Sequence, residues 1–237
     1  MNSFVKLITY YISIFFIIQS VNAQSALVQQ ENLEKIGENW HNGSVLTFDN
    51  RYKGVNGTPF LFEDWLPGSI TLISDTIITD LFLKYDVNEG RLYRKVNLNK
   101  ANLILNYKIK SFKMIDIGYE KTYLKMALED GEPETFVELL SKGKLNLLAK
   151  PECRLRKADK NSSYGTGRQY DEYIHSSELF IFNTNTQVLK PVKNSRKFFL
   201  EQMADKEDAI KKYLKRNKPF LKEASAVIKL VNYYNGL

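Results

Sequence analysis

From Gly68 to Ile117 apolar and polar residues alternate in short runs divided by turn residues, a two-residue rhythm that predicts a β-meander. Ser69-Ile70-Thr71-Leu72-Ile73 and Thr76-Ile77-Ile78 are rich in β-branched residues and flank a turn at Ser74-Asp75. Leu81, Leu83 and Tyr85 alternate with Phe82 and Lys84, and Leu92, Arg94 and Val96 alternate with Arg91, Tyr93 and Lys95. Asp86-Val87-Asn88-Glu89-Gly90 between them has the length and chemistry of a hairpin connector. Leu103 to Leu105, Tyr107 to Ile109 and Phe112 to Ile117 continue the meander, and Thr122 to Leu128 with Phe136 to Leu140 form a hairpin around Asp130-Gly131-Glu132-Pro133. Lys144 to Leu148 follows. Pro151 to Gln169 has no apolar period and reads as an exposed, mobile loop. Strand signals return at Glu178 to Phe182 and Gln187 to Leu189.

Upstream, Val45, Leu46 and Phe48 lead into a loop punctuated by Gly54, Asn56-Gly57 and Pro59, then the aromatic stretch Phe60 to Trp65. Many short strands with turns between them predict a mainly β protein, an antiparallel β-sandwich or partly open barrel. After Pro191 the period becomes helical. Asp205 is the expected N-cap, Glu207 and Asp208 occupy the first turn, and Ile210, Tyr213 and Leu214 have core-facing spacing before Lys215-Arg216 and Pro219. A last helix over Glu223 to Tyr234 places Val227, Ile228, Val231 and Tyr234 on one face. Residues 193–237 therefore form a small C-terminal α-helical subdomain behind a β domain over 44–192, with a helix or linker over 24–43.

The first 23 residues read as a secretory signal peptide. Lys6 supplies the positive end, Leu7 to Ile18 an apolar run of 12 residues, and Val21-Asn22-Ala23 small residues at a cleavage site. The run is too short and too soon interrupted for a spanning helix, so the mature chain is expected to be exported, periplasmic or secreted. Its 214 remaining residues suffice to bury about 70% of the surface exposed by an unfolded chain. Cys153 is the sole cysteine, which rules out an internal disulfide and leaves a buried thiol or a pairing between chains. Charge is unevenly placed. Residues 24–192 hold 22 Lys+Arg against 22 Asp+Glu, whereas 193–237 hold 11 against 5, so the mature excess lies wholly in the C-terminal segment.

Candidate chemistry is sparse. His41 and His175 stand far apart with no second His or Cys at ligand spacing, and a Cys153–His175 pair would need the fold to bring the two together. Gly165-Thr166-Gly167 lacks the third glycine of a dinucleotide loop. Asp86 to Gly90 lacks the closing Glu of a calcium loop. No catalytic residue, cofactor or metal is expected. Adjacent acids, Glu63-Asp64 and Asp171-Glu172, suit glycan hydrolysis only if both converge on one substrate, and neighbours in a strand point apart. Phe60, Phe62 and Trp65 offer rings for a ligand or glycan, with core or lid as the simpler use. The strongest surface signal is the basic set Lys211, Lys212, Lys215, Arg216, Lys218 and Lys222, suited to an anionic membrane surface or an envelope protein. Export makes nucleic acid an improbable target.

The strands Gly68 to Leu72 and Leu83 to Asp86, the segment Phe136 to Leu140 with Gly143 to Leu148, and the ending Lys211 to Lys218 with Leu230 to Tyr234 resemble a group of small secreted proteins of Bacteroidota. The resemblance implies source and compartment and carries no functional residue. The expectation is a non-enzymatic exported protein acting through binding surfaces, with an apolar-ligand carrier, its cavity lined by rings from Phe60 to Trp65 and Tyr85 to Tyr93, as the alternative. A glycan hydrolase is the remoter one.

Overall fold

The computed structural model describes residues 45–47, 54–97, 100–104, 106–159 and 168–237. The expected signal peptide, the 24–43 segment, His41, Phe48 and Asn161 to Gly167 lie outside the described residues. Alternation becomes a single large sheet of twelve strands: β1 Val45–Thr47, β2 Val55–Asn56, β3 Leu66–Leu72, β4 Ile77–Asp86, β5 Arg91–Asn97, β6 Lys100–Ile104, β7 Ile109–Asp116, β8 Tyr119–Met126, β9 Thr135–Ser141, β10 Leu145–Arg156, β11 Asp171–Asn183 and β12 Val188–Pro191. Their lateral order is β1-β6-β5-β4-β3-β7-β8-β9-β10-β11-β12, and β2 pairs with β11. Every pairing is antiparallel except β2 with β11.

The sheet is not closed into a barrel, but it curls. Ile70, Phe112 and Tyr123 are direct cross-strand neighbours and all are buried. Phe112 stacks on Tyr123 at 4.6 Å and meets Phe136 edge-on at 4.9 Å, and Tyr85 touches both Phe112 (5.5 Å) and Phe136 (5.7 Å). Tyr85 is on β4 and Phe136 on β9, four strand spacings apart, which a flat sheet would hold at roughly 19 Å. Curvature lets rings from both sides meet, so aromatic side chains fill this face of the sheet.

Three helices close the chain: α1 Arg196–Gln202, α2 Glu207–Asn217 and α3 Ala224–Asn235. Phe199, Met203, Ile210, Leu214, Val227, Leu230 and Val231 pack in one cluster with Leu145, Leu147 and Ile181 of β10 and β11. Val137, Leu148 and Phe180 form a second cluster. Val45–Leu237 is one compact unit in which the helices rest on the sheet.

Several elements differ from the sequence reading. Thr76 to Ile78 and Leu81 to Tyr85 belong to one strand, β4. Gly68 pairs with Leu81 and Ile70 with Ile78, so β4 carries one extra residue there, and Asp80 sits at φ 56°. That bulge lets Ile78 and Leu81, at odd spacing, both face the core. The first part of the loop expected from Pro151 to Gln169 is strand, since β10 runs on to Arg156, and β11 begins as early as Asp171, ahead of the signal at Glu178. Pro151 to Arg156 pair in order with Ser177 to Glu172, and Glu152, Arg154, Leu155, Arg156, His175, Ser176 and Ser177 are exposed, so no apolar alternation marks this ribbon. Pro151 fits because β9 accompanies β10 only to Ala149, leaving an edge beyond. Asp205 is not an N-cap: α2 starts after Lys206, which makes no side-chain cap, and Asp205 sits in a 3-10 turn, Ala204–Lys206. α1 was not foreseen; Ser195 caps it by accepting the Phe198 N–H through Oγ at 3.2 Å.

Candidate functional site

The basic helical region is positioned by its own apolar face. Ile210 and Leu214 of α2 are buried, and the 3.6-residue period then turns Lys211, Lys212, Lys215 and Arg216 to solvent. Lys211 bonds Glu207 one turn earlier at 2.8 Å, which raises its pKa. Lys212, Lys215, Arg216, Lys218 and Lys222 are exposed and form no ion pair with any described residue. Lys215 and Arg216 occupy the last turn, where the helix dipole favours cations, and Lys218 ends α2 in the left-handed region at φ 43°.

This region is clasped to the sheet at the β9–β10 turn. The Lys144 ammonium donates to Asp205 at 2.6 Å, and the Tyr234 hydroxyl donates to the other oxygen of the same carboxylate at 2.8 Å. Chiefly through the Lys144 bond, the Asp205 carboxyl is held below its ordinary value. Asn235 adds a second clasp by accepting the Leu145 N–H at 3.1 Å and donating to the Leu145 carbonyl at 2.9 Å and to Ser141 Oγ at 3.1 Å.

The aromatic stretch is built differently. Phe60 is buried and meets Tyr93 edge-on at 6.3 Å. Lys84 Nζ lies 4.6 Å from the Phe60 ring centre and 5.7 Å from that of Trp65, and it donates to the Glu63 carbonyl. Burial lowers the Lys84 pKa, against the opposing charges of Asp64 and Glu63. Phe62 is half-buried with Lys121 Nζ 5.9 Å from its ring centre. These rings hold a loop on the sheet, with their faces already engaged by lysines.

Just before this loop, one chain segment spans the opening of the curled sheet. Val55 and Asn56 pair with Asp171 and Glu172 of β11, whereas Pro59 and Leu61 exchange backbone bonds with Val87 and Tyr85 at the end of β4. Beneath it the ribbon register sets Cys153 opposite His175. The fold thus brings the two residues together, with Sγ 3.7 Å from Nε2. The pair is not an activated thiol. His175 Nε2 lies 2.7 Å from the Thr58 carbonyl, an acceptor only, so this nitrogen carries the proton and cannot take one from sulfur. Burial pushes the thiol up to about 11. A cleft of ≈ 370 Å³ beside it is lined by Tyr85, Thr135, Lys150, Cys153, Arg154 and Ser176.

The acidic pairs do not converge. Asp171 accepts the Ala158 N–H at 2.7 Å and Glu172 pairs with Arg156, both closing the ribbon, and Glu63 and Asp64 are exposed on the loop before β3. Asp86 is buried and accepts the Glu89 N–H at 2.9 Å, the bond of a hairpin turn. Among the described residues no three His, Cys, Asp or Glu side chains gather as a metal site, and no helix is long and apolar enough to cross a membrane. No protein-family model, curated protein or solved structure matches this chain.

Proposed function

We propose that the chain is an exported, non-enzymatic protein of the cell envelope that acts through a binding surface, the cationic helical region meeting an anionic membrane. One observation carries this reading: five exposed cations, Lys212, Lys215, Arg216, Lys218 and Lys222, stand together in sequence with no acidic partner among the described residues. At about 1 kcal/mol for each cation near an anionic lipid surface, five supply about 5 kcal/mol, or roughly three and a half orders of magnitude in partition. The leader-like run Leu7 to Ile18, the Val21-Asn22-Ala23 site and the likeness to secreted Bacteroidota proteins support export. The ring packing around Phe112 and the inactive geometry of Cys153 and His175 support a surface role over chemistry or carriage.

Co-sedimentation of the mature protein with phosphatidylglycerol-containing and pure phosphatidylcholine vesicles tests the reading. The protein is expected to pellet with the anionic vesicles alone, to be released by salt, and to lose binding when Lys212, Lys215, Arg216 and Lys218 become Gln. Equal failure on both vesicle types sinks the proposal.

A further inference from the structure

The basic surface carries one side chain that charge does not explain. Phe220, in the connector between α2 and α3, is 61% exposed, while its neighbour Leu221 is 7% exposed and belongs to the helical core cluster. The connector is fixed at both ends: the Lys218 N–H donates to the Leu214 carbonyl at 3.1 Å and the Glu223 N–H to the Phe220 carbonyl at 2.9 Å. Pro219 restricts the backbone between them. With Leu221 anchored inward, Phe220 is held outward on a rigid turn. From Ala209 to Lys222 the chain has six cations and no acid, so the ring is flanked by positive charge on both sides in sequence.

We propose that Phe220 is an insertion residue that enters an anionic phospholipid bilayer below its headgroups while Lys215, Arg216, Lys218 and Lys222 meet the phosphates. This rests on the membrane reading above and adds the depth and the residue. Charge complementarity selects the occupant. A single exposed ring flanked in sequence by cations that pair with no described residue suits a fluid, anionic receptor, which accepts an apolar tip and supplies negative charge at any angle. The turn being already ordered, insertion loses little conformational entropy.

The experiment uses the full mature protein with phosphatidylglycerol-containing vesicles. Phe220→Ala is expected to fold normally and to partition about tenfold more weakly. Phe220→Trp is expected to bind at least as well as wild type and to show fluorescence quenching by lipids brominated in the acyl chain, beyond that of the wild-type tryptophans. Unchanged partition of Phe220→Ala, or an unquenched Phe220→Trp, overturns insertion while leaving a purely electrostatic surface in place. Wild-type protein that binds heparin but no vesicle overturns the lipid assignment altogether.

Discussion

Gly143 and Asn235 occupy the same space, and a double-mutant cycle between them measures how firmly the helical region is fastened. A Cβ built on Gly143 lies 2.3 Å from Asn235 Cγ and 2.6 Å from both its terminal atoms, more than 1 Å inside ordinary carbon contact of about 3.5–4.0 Å. Gly143→Ala therefore forces the Asn235 amide out of place and breaks the bonds that Asn235→Ala removes directly. Those bonds are three, two of them to the backbone of Leu145, which is fully buried, and one to the buried Ser141. At about 1 kcal/mol net for each, either variant loses about 3 kcal/mol. The better helix propensity of Ala returns at most roughly 0.5 kcal/mol of this in Asn235→Ala. For a protein of this size the loss corresponds to a fall in Tm of roughly 6–12 °C, read by scanning calorimetry. In the double variant the added methyl enters the space that Asn235 vacated, so its cost matches Asn235→Ala alone and the coupling is about 3 kcal/mol. Additive losses of roughly 6 kcal/mol, or an Asn235→Ala protein as stable as wild type, would refute the argument.

Asp205→Asn removes a carboxylate whose native pKa is depressed, chiefly by Lys144, below the usual 3.8. Its contribution is present above the unfolded value and lost as pH falls through the lower native one, so the Tm gap to wild type should persist from neutral pH down to about 5 and narrow progressively as the pH falls below the usual 3.8. Ile117 and Gly118 form a two-residue hairpin loop with both φ positive (47° and 80°), and Ile117 is 89% exposed. Ile117→Asn relieves a β-branched residue in the left-handed region and should stabilise by about 1 kcal/mol in denaturant titration; a loss would contradict the turn assignment. A thiol raised to about 11 from 9.0 should react with a disulfide reagent at pH 8 at least about tenfold more slowly in native than in unfolded protein. Equal rates would show Cys153 to be unprotected.

What the sequence disclosed follows from where each side chain's environment repeats. The β3–β4 and β4–β5 turns and both α2 and α3 were legible because one face of each element is buried, giving Leu83, Tyr85, Ile210 and Val231 their spacing. The outer part of the β10–β11 ribbon, Pro151 to Arg156 with Glu172 to Ser177, was not, because most of its side chains lie in solvent and its stability comes from backbone pairing that any side chain permits. Missing the ribbon hid the Cys153–His175 contact. The signal existed in principle, since the register that pairs Leu145 with Asn183 runs unchanged to Arg156 with Glu172. Asp205 had the chemistry of a cap and was used by tertiary partners instead. Phe220 was passed over because a lone exposed ring has no period; only the burial of Leu221 beside it shows that the ring is held outward.

Fastening and binding should separate cleanly in this molecule. Asn235 and the Lys144–Asp205–Tyr234 group lie where the helices meet the sheet, whereas Lys212, Lys215, Arg216 and Phe220 expose their side chains to solvent. If the clasps serve only to hold a finished surface, Asn235→Ala lowers Tm yet leaves vesicle affinity unchanged below its own transition. Phe220→Ala does the opposite, weakening affinity with Tm within about 0.5 kcal/mol equivalent of wild type. Loss of affinity in Asn235→Ala at temperatures where calorimetry shows it fully folded would mean that the surface is assembled by the clasp, and the presumed independence of the two groups would fail.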